Sequence, residues 1–297
     1  VYKMKAEIMD LQGKKTGSVE LPNLFSAAYR PDVIKQAFLA YTSWNYQAKG
    51  SDRFAGQQTT AESWQTGSGR SIMPRVKIGP HRGGRNAKGN RYRSKGRWFA
   101  AAGRYAIAPG TVGGRQAHPP KAQENIIRKV NNREMDLALA SAISASVNPE
   151  LVIQRGHAID EKLVLPIVVD NSLESLKKTK EMLAVFKALG LEADIDRCSA
   201  VKVRAGRGKT RGRKYKRKVG PLIVISEEKG VEVAGRNIGG VDITTVDELN
   251  IELLAPGTNA GRLVIWTKGA IEQMKTIEES GNKKAEVAKI QAKEEKK

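Results

Sequence analysis

From Lys49 to Lys121 the chain becomes Gly-rich, basic and short of aliphatic side chains, and no hydrophobic core can be built from such a stretch. Its 73 residues hold fifteen Lys or Arg and thirteen Gly against two acids, Asp52 and Glu62. Ordering the backbone costs roughly 1–2 kcal/mol per residue, so fixing the whole stretch costs on the order of 70–140 kcal/mol. Little burial within the stretch offsets that cost. The compensation must come from a partner outside the chain, and the charge requires that partner to be polyanionic.

A second stretch has the same character. Lys202 to Lys218, KVRAGRGKTRGRKYKRK, carries ten bases and no acid. The two stretches contribute +13 and +10 to a net charge of +21, while the rest of the 297 residues, with 27 bases and 29 acids, sums to −2. The basicity therefore belongs to two segments set on a near-neutral body, whose 40% hydrophobic content is enough for a core. Charge of this size points to nucleic acid or an anionic membrane surface. A membrane finds no support: apolar runs such as Leu163 to Val169 fall far short of the roughly 20 residues of a span. The opening VYKMKAEIMD lacks the apolar region of a signal peptide. The single Cys198 leaves no intrachain disulfide framework and fits a reducing, cytoplasmic setting. It is expected to be a small buried hydrophobe at the end of a strand. No Cys–His spacing resembles a zinc site, so no metal is expected.

The body has the pattern of an α/β fold. Lys5 to Met9 and Gly17 to Leu21 predict a small hairpin. From Pro31, helical spacing places Val33, Ile34, Ala37, Phe38, Tyr41 and Trp44 on one face. Beyond His118-Pro119-Pro120 a second helix is expected from about Glu124 to Val147, with an internal cap at Asn131 or Asn132, so two helices flank the basic stretch as a stem. LVLPIVVD, Leu163 to Asp170, is a continuous apolar run of the kind found in strands covered on both faces. Asn171 with Glu174 signals a helix start, and Leu173, Leu176, Met182, Leu183, Phe186 and Leu189 form its face before Gly190. Ala193 to Cys198 is predicted as the next strand, completing a right-handed β-α-β unit. PLIVIS (Pro221 to Ser226), VDITTV (Val241 to Val246) and RLVIW (Arg262 to Trp266) are further strands, and Lys268 to Ile277 is the last helix.

The expected architecture is a mostly parallel sheet of about four or five strands flanked by helices, with a long basic internal extension. Residues 1–48 form a hairpin and helix, 49–121 the extension, 122–277 the α/β body with a basic loop at 199–220, and 278–297 a charged tail. In a parallel sheet that loop would leave a strand's C-terminal edge, where many folds bind ligands.

Catalytic chemistry is poorly supplied. Gly208-Lys209-Thr210 ends like a phosphate-binding loop, but Val203 stands where its first Gly belongs. Gly206-Arg207-Gly208 begins like a dinucleotide fingerprint, yet Arg211 occupies the third Gly position. His81, His118 and His157 lie beside no pattern that would activate a nucleophile or a metal-bound water. The acidic pairs Glu227-Glu228 and Asp194/Asp196 fit solvated strand ends. No cofactor and no enzymatic activity are expected.

The basic segments interleave Arg and Lys with Gly and aromatic residues. Arg forks phosphate with two donors, Gly lets the backbone approach closely, and aromatic faces stack on unpaired bases. In the extension the candidate RNA contacts are Arg53, Arg82, Arg85, Lys88, Arg91, Tyr92, Arg93, Lys95, Arg97, Trp98, Arg104, Arg115, His118 and Lys121. In the second segment they are Lys202, Arg204, Arg207, Lys209, Arg211, Arg213, Lys214, Tyr215, Lys216, Arg217 and Lys218. Charge alone leaves DNA compaction open, although no helix-turn-helix or zinc-finger pattern is present. An RNA-modifying enzyme with basic arms is a further reading, and it would require a nucleotide or methyl-donor pocket at the strand ends.

Several pieces in order resemble one family: AGQQTTAESWQTGSGRSIMPRV (Ala55 to Val76), GRQAHPPK (Gly114 to Lys121), RGHAID (Arg155 to Asp160) and ADIDR (Ala193 to Arg197). The second basic segment, Ala234 to Asn237, and LLAPG followed by GRLVIWTKGAI continue the match. The chain resembles the universal large-subunit ribosomal protein number four of archaeal and eukaryotic type. The resemblance implies a non-catalytic protein of the large ribosomal subunit, with an α/β domain on the outside and an extension threading through the large ribosomal RNA. It also implies neighbouring large-subunit ribosomal proteins as partners, and no homo-oligomer is expected. Carried over by motif, Gly69, Arg70, Ser71, Ile72, Met73, Pro74 and Arg75 form an extension tip at the wall of the nascent-peptide exit tunnel, where the nascent peptide passes.

Overall fold

The computed structural model describes residues 4–59, 61–63, 73–76, 105–159 and 163–277. In chain order, β1 (Lys5–Met9) and β2 (Lys15–Glu20) form an antiparallel hairpin, and α1 (Pro31–Ser43) follows. Then β3 (Ala61–Glu62) pairs with β4 (Arg75–Val76), and α2 (Asn132–Val147) and α3 (Pro149–Arg155) come next. They are succeeded by β5 (Ile167–Val169), α4 (Thr179–Ala188), α5 (Glu192–Ser199), β6 (Lys202–Val203) and β7 (Tyr215–Lys216). The last elements are β8 (Leu222–Ile225), α6 (Val231–Gly235), β9 (Asp242–Thr245), α7 (Ile251–Leu254) and β10 (Val264–Thr267), which runs directly into α8 at 268–277. The described residues fall into two compact units, one drawn from those up to residue 45 and from 127 onward, the other from those between 46 and 126.

The main sheet has the order β2-β1-β5-β10-β8-β9, and every pair except β1–β2 is parallel. It therefore has six strands rather than four or five, because the N-terminal hairpin joins it through β1 alongside β5. The adjacent strands β5, β10 and β8 alternate strictly between two cores. Val168, Leu222, Val224, Val264 and Trp266 face the side covered by α1, α2, α7 and α8. Ile167, Val169, Ile223, Ile225 and Ile265 face the side covered by α4, α5 and α6. Burial on both faces explains why these strands are apolar at every position but the last of β10, Thr267. On the first side Phe25 meets Trp266 edge-on, with ring centroids 5.2 Å apart.

α1 and α2 pack against each other, as a stem requires. Ala138, Ser141, Ala142 and Ala145 of α2 are small and buried, so the helices approach closely. The Arg30 amide donates to Ser141 Oγ at 2.7 Å. The expected face of α1 is corrected at its end, since Ile34, Ala37, Ala40 and Ser43 are buried but Trp44 is 69% exposed. α2 begins at Asn132 rather than Glu124; Asn131 stands at its start, not inside it.

Three further expectations are overturned in the second half. Ala193 to Cys198 is helical, within α5. Ala-Asp-Ile-Asp-Arg-Cys mimics a strand's alternation, but Leu191, Ile195 and Cys198 are the buried positions, spaced at i, i+4 and i+7. Glu192 and Asp194 in the first turn and Arg197 in the last also suit the helix dipole. In LVLPIVVD only Ile167–Val169 is strand, because Pro166 has no N–H for the ladder. Asn171–Ser175 is a 3-10 turn rather than a helix start, and Leu183 of α4 is exposed.

Glu174 in that turn is fully buried. Its Oε1 accepts from the Ser226 amide at 2.9 Å, from Ser226 Oγ at 2.7 Å and from Thr267 Oγ1 at 2.9 Å. Burial by itself pushes this carboxyl up, but the Ser226 and Thr267 donors and nearby Lys229 outweigh it and hold the group below its ordinary range. One carboxylate thus clamps the C-terminal ends of β8 and β10.

The opposite edge of the sheet holds a second polar cluster. Arg262 is buried, donating from Nε to Gly220 O at 2.9 Å and from Nη1 to Leu253 O at 2.9 Å, and its Nη2 pairs with Asp242. Asp194, expected at a solvated strand end, is also buried. It bonds His157 Nδ1 at 3.0 Å, the Ala158 amide at 3.0 Å and Arg197 Nε at 2.8 Å. His157 Nε2 accepts from the Leu263 amide at 3.3 Å, which leaves Nδ1–H to donate to Asp194. Burial raises the Asp194 carboxyl, and the bonds from His157 and Arg197 more than reverse this, so it sits below its ordinary value of 3.8.

Asp194→Asn leaves Arg197 without its buried counter-charge and should cost about 3–5 kcal/mol in urea unfolding. A depressed carboxyl stabilises fully above its ordinary value and loses that contribution as pH falls through the lower folded one, so acid unfolding of the wild type should steepen below about pH 4 and that of Asp194→Asn should not. Phe186→Ala, which empties the α4 side of the core, should cost about 3–5 kcal/mol without changing the sheet's circular dichroism.

Candidate nucleic-acid interface

The second basic segment is a short antiparallel hairpin, with Lys202 opposite Lys216 and Val203 opposite Tyr215. The Arg204 amide donates to Lys214 O at 2.7 Å, and the turn is closed by the Arg213 amide on Gly208 O at 3.0 Å. The residues that mimicked phosphate-loop motifs are this turn. Lys202, Arg207, Lys209, Arg211, Arg213, Lys214, Lys216, Arg217 and Lys218 are exposed, and Arg204 is half-buried with Nε on Arg213 O at 3.1 Å. Tyr215 is 56% exposed and lies under the Lys214 ammonium, 5.3 Å from the ring centroid. Like charges directly across a strand pair destabilise it, and no carboxylate stands within the segment to relieve them.

The hairpin is held at its root rather than along its length. Arg197 Nη2 donates to Val219 O at 2.8 Å, Arg262 grips Gly220 O, and the Gly220 amide donates to Gly240 O at 2.8 Å. Gly240 has φ +83°, and a Cβ there would lie 2.8 Å from Lys218 O, so the close approach requires glycine. Because the segment leaves α5 and enters β8, it stands at the N-terminal edge of the parallel strands, not the expected C-terminal edge. Arg155 lies in the same edge cluster, donating to Pro256 O at 3.0 Å and to Asn259 O. Burial, then the charges of Arg262 and Arg197, lower its pKa to about 10, so it stays cationic at neutral pH. The sequence reading assigned no role to Arg155, Arg197 or Arg262. Their one signal is placement in motif pieces beside apolar strands, where a charge needs a structural reason.

In the extension, the outgoing and returning chains run together. The Ser51 amide donates to Pro120 O at 3.2 Å. Gly56 (φ +76°) lies against the Gly114–Arg115 peptide, where a Cβ would come within 2.5 Å of Gly114 O. This contact joins two of the family-like motif pieces. Farther out, Glu62 stands opposite Arg75 in the β3–β4 register, the Arg75 backbone forms a β-bridge with Tyr105, and the Ala106 amide donates to Pro74 O at 3.0 Å. Arg75 also donates to Tyr105 OH at 3.1 Å and stands 4.5 Å over its ring. The chain therefore leaves this node after Ser63 and after Val76, and returns to it both times.

Arg53, His118 and Lys121 are exposed, and Arg115 is half-buried. Of the tip residues, Met73 is exposed and Pro74 and Arg75 are half-buried. Gly69, Arg70, Ser71 and Ile72 lie outside the described residues, as do Arg82, Arg85, Lys88, Arg91, Tyr92, Arg93, Lys95, Arg97, Trp98 and Arg104.

Groups able to do chemistry are locked into structure. His157 and Asp194 are buried within the edge cluster, and Cys198, at the end of a helix rather than a strand, has its thiol pushed up by burial and by Asp194. Among the described residues no group of three His, Cys, Asp or Glu could hold a metal ion. Among them, too, no helix is long and apolar enough to cross a membrane.

Comparison with known proteins agrees with the motif pieces. Residues 19–277 match the model of the Ribosomal protein L4/L1 family. The chain is 44% identical over 272 residues to the large ribosomal subunit protein uL4 of Halorubrum lacusprofundi, covering 91% of this chain and 99% of the relative. It is 42% identical over 273 residues to that of Methanococcus vannielii, covering 92% and 99%, and 41% identical over 271 residues to that of Methanosphaera stadtmanae, covering 91% and 96%. On the family match and on near full-length identity above 40%, this chain belongs to the Ribosomal protein L4/L1 family.

Proposed function

We infer that the chain is a structural, non-catalytic protein of the large ribosomal subunit that binds and helps assemble large-subunit ribosomal RNA. The observation that carries this reading is the second basic hairpin: ten bases, no acid, like charges paired across its strands, and a root fixed by a buried network. A dense array of negative charge relieves this repulsion, and folded RNA supplies one. The cations neutralise phosphates where RNA helices crowd together, and Tyr215 offers a face for an unpaired base.

The extension, residues 49–121, acts as a second arm that threads through RNA. Its two excursions from the Arg75–Tyr105 node divide the work. Arg82 to Arg97 with Arg104 grips phosphate, and Gly69 to Arg75 forms the tip at the exit-tunnel wall, within reach of the nascent peptide. Arg53, Arg115, His118 and Lys121 contact RNA along the arm's base. Neighbouring large-subunit proteins pack beside the body. The node supports this division because both excursions start and end at one place.

Binding to deproteinised large-subunit ribosomal RNA should weaken linearly in a log–log plot against salt, with a slope of roughly −0.7 to −0.9 per phosphate contact. Arg211→Gln with Arg213→Gln should reduce the slope's magnitude by about 1.4–1.8 and leave thermal stability unchanged. Duplex DNA should compete poorly. Affinity that stays flat between low and moderate salt would contradict the proposal.

A further inference from the structure

The near-neutral charge of the body conceals a cationic groove outside both basic segments. Instead of extending α2 backward, residues 127–131 run as an irregular strap beside α1, where the Arg128 amide donates to Ser43 Oγ at 3.0 Å. Between helix and strap lies an open groove of about 590 Å³, lined by Asp32, Lys35 and Leu39 from α1 and by Arg128, Lys129 and Val130 from the strap. Lys35, Arg128 and Lys129 are exposed, and none of them forms an ion pair among the described residues. The groove's one acid, Asp32, is already held by Arg30 Nη2 at 3.0 Å. Three uncompensated cations therefore face one concavity, whose low-dielectric walls concentrate their field. Leu39 and Val130 give it a partly buried apolar floor.

We propose that this α1–strap groove is a third RNA-backbone site, seated on the body itself and reading phosphate through Lys35, Arg128 and Lys129. The inference rests on the RNA-binding function proposed above and adds a site to it. An occupant must bring several closely spaced negative charges to cations on two different elements. A sugar–phosphate backbone does this with one charge per nucleotide, and its sugars can lie over the apolar floor. An acidic protein segment is the competing occupant, and the experiment separates the two.

Full-length Lys35→Gln/Lys129→Gln changes two exposed side chains that make no ion pair among the described residues, so its melting temperature should match the wild type. Its binding to deproteinised large-subunit ribosomal RNA should show a salt slope smaller in magnitude by about 1.4–1.8, two phosphate contacts at roughly 0.7–0.9 each. Polyglutamate at equal charge concentration should fail to displace the RNA from the wild type. If the groove variant binds RNA with the wild-type slope while Arg211→Gln/Arg213→Gln still loses contacts, the groove inference is overturned and the function stands. Displacement by polyglutamate that disappears in the groove variant overturns it in favour of an acidic protein partner. Salt-independent binding by the wild type overturns both.

Discussion

Positive charge that the chain cannot neutralise for itself is the constraint on which everything else depends. Ten cations on a seventeen-residue hairpin repel one another, and at an effective dielectric near 20 two unit charges about 4 Å apart interact by roughly 4 kcal/mol. The fold answers with geometry rather than counter-charge. It holds the hairpin at its root, at Val219 and Gly220, through guanidiniums that are themselves secured by Asp194 and Asp242 and through the Gly220 amide on Gly240 O, and leaves most of the cations facing outward. The α/β body is a clamp for the basic hairpin, and the polar cluster buried at that edge of the sheet anchors its root.

That arrangement accounts for residues that look catalytic in isolation. A buried His–Asp contact beside a cysteine invites an enzymatic reading, yet His157 and Asp194 are sealed within the core and their remaining bonds go to backbone amides and Arg197. Glu174 serves the other edge of the sheet in the same way, tying β8 to β10 through Ser226 and Thr267. Both clusters convert buried charge into fixed strand ends, which suits a protein whose work is positioning.

The sequence was most legible where composition is extreme. The doubly covered strands around Ile223 and Ile265 announce themselves by unbroken apolar runs, and the basic segments by charge. It was least legible where two periods coincide: Ala193 to Cys198 alternates like a strand, and only Leu191, one turn earlier, reveals the helical stripe. That error carried the basic hairpin to the wrong edge of the sheet. The strap at 127–131 was misread because its apolar residues continue the spacing of α2, while the hydrogen bond that pulls it onto α1 joins Arg128 to Ser43, 85 positions apart. Local pattern holds no trace of such a partner. Arg155, Arg197 and Arg262 escaped notice for a related reason, since their carbonyl and carboxylate acceptors come mostly from distant loops.

The central claim is that RNA supplies the free energy that orders the basic arms. Amide hydrogen exchange across residues 49–121 and 202–218, measured on the full chain with and without deproteinised large-subunit ribosomal RNA, tests it most directly. Protection in both segments should rise by at least tenfold on RNA binding, while β5, β8 and β10 are equally protected in either state. Arms already protected to the level of the sheet in the free protein, and unchanged by RNA, would contradict it.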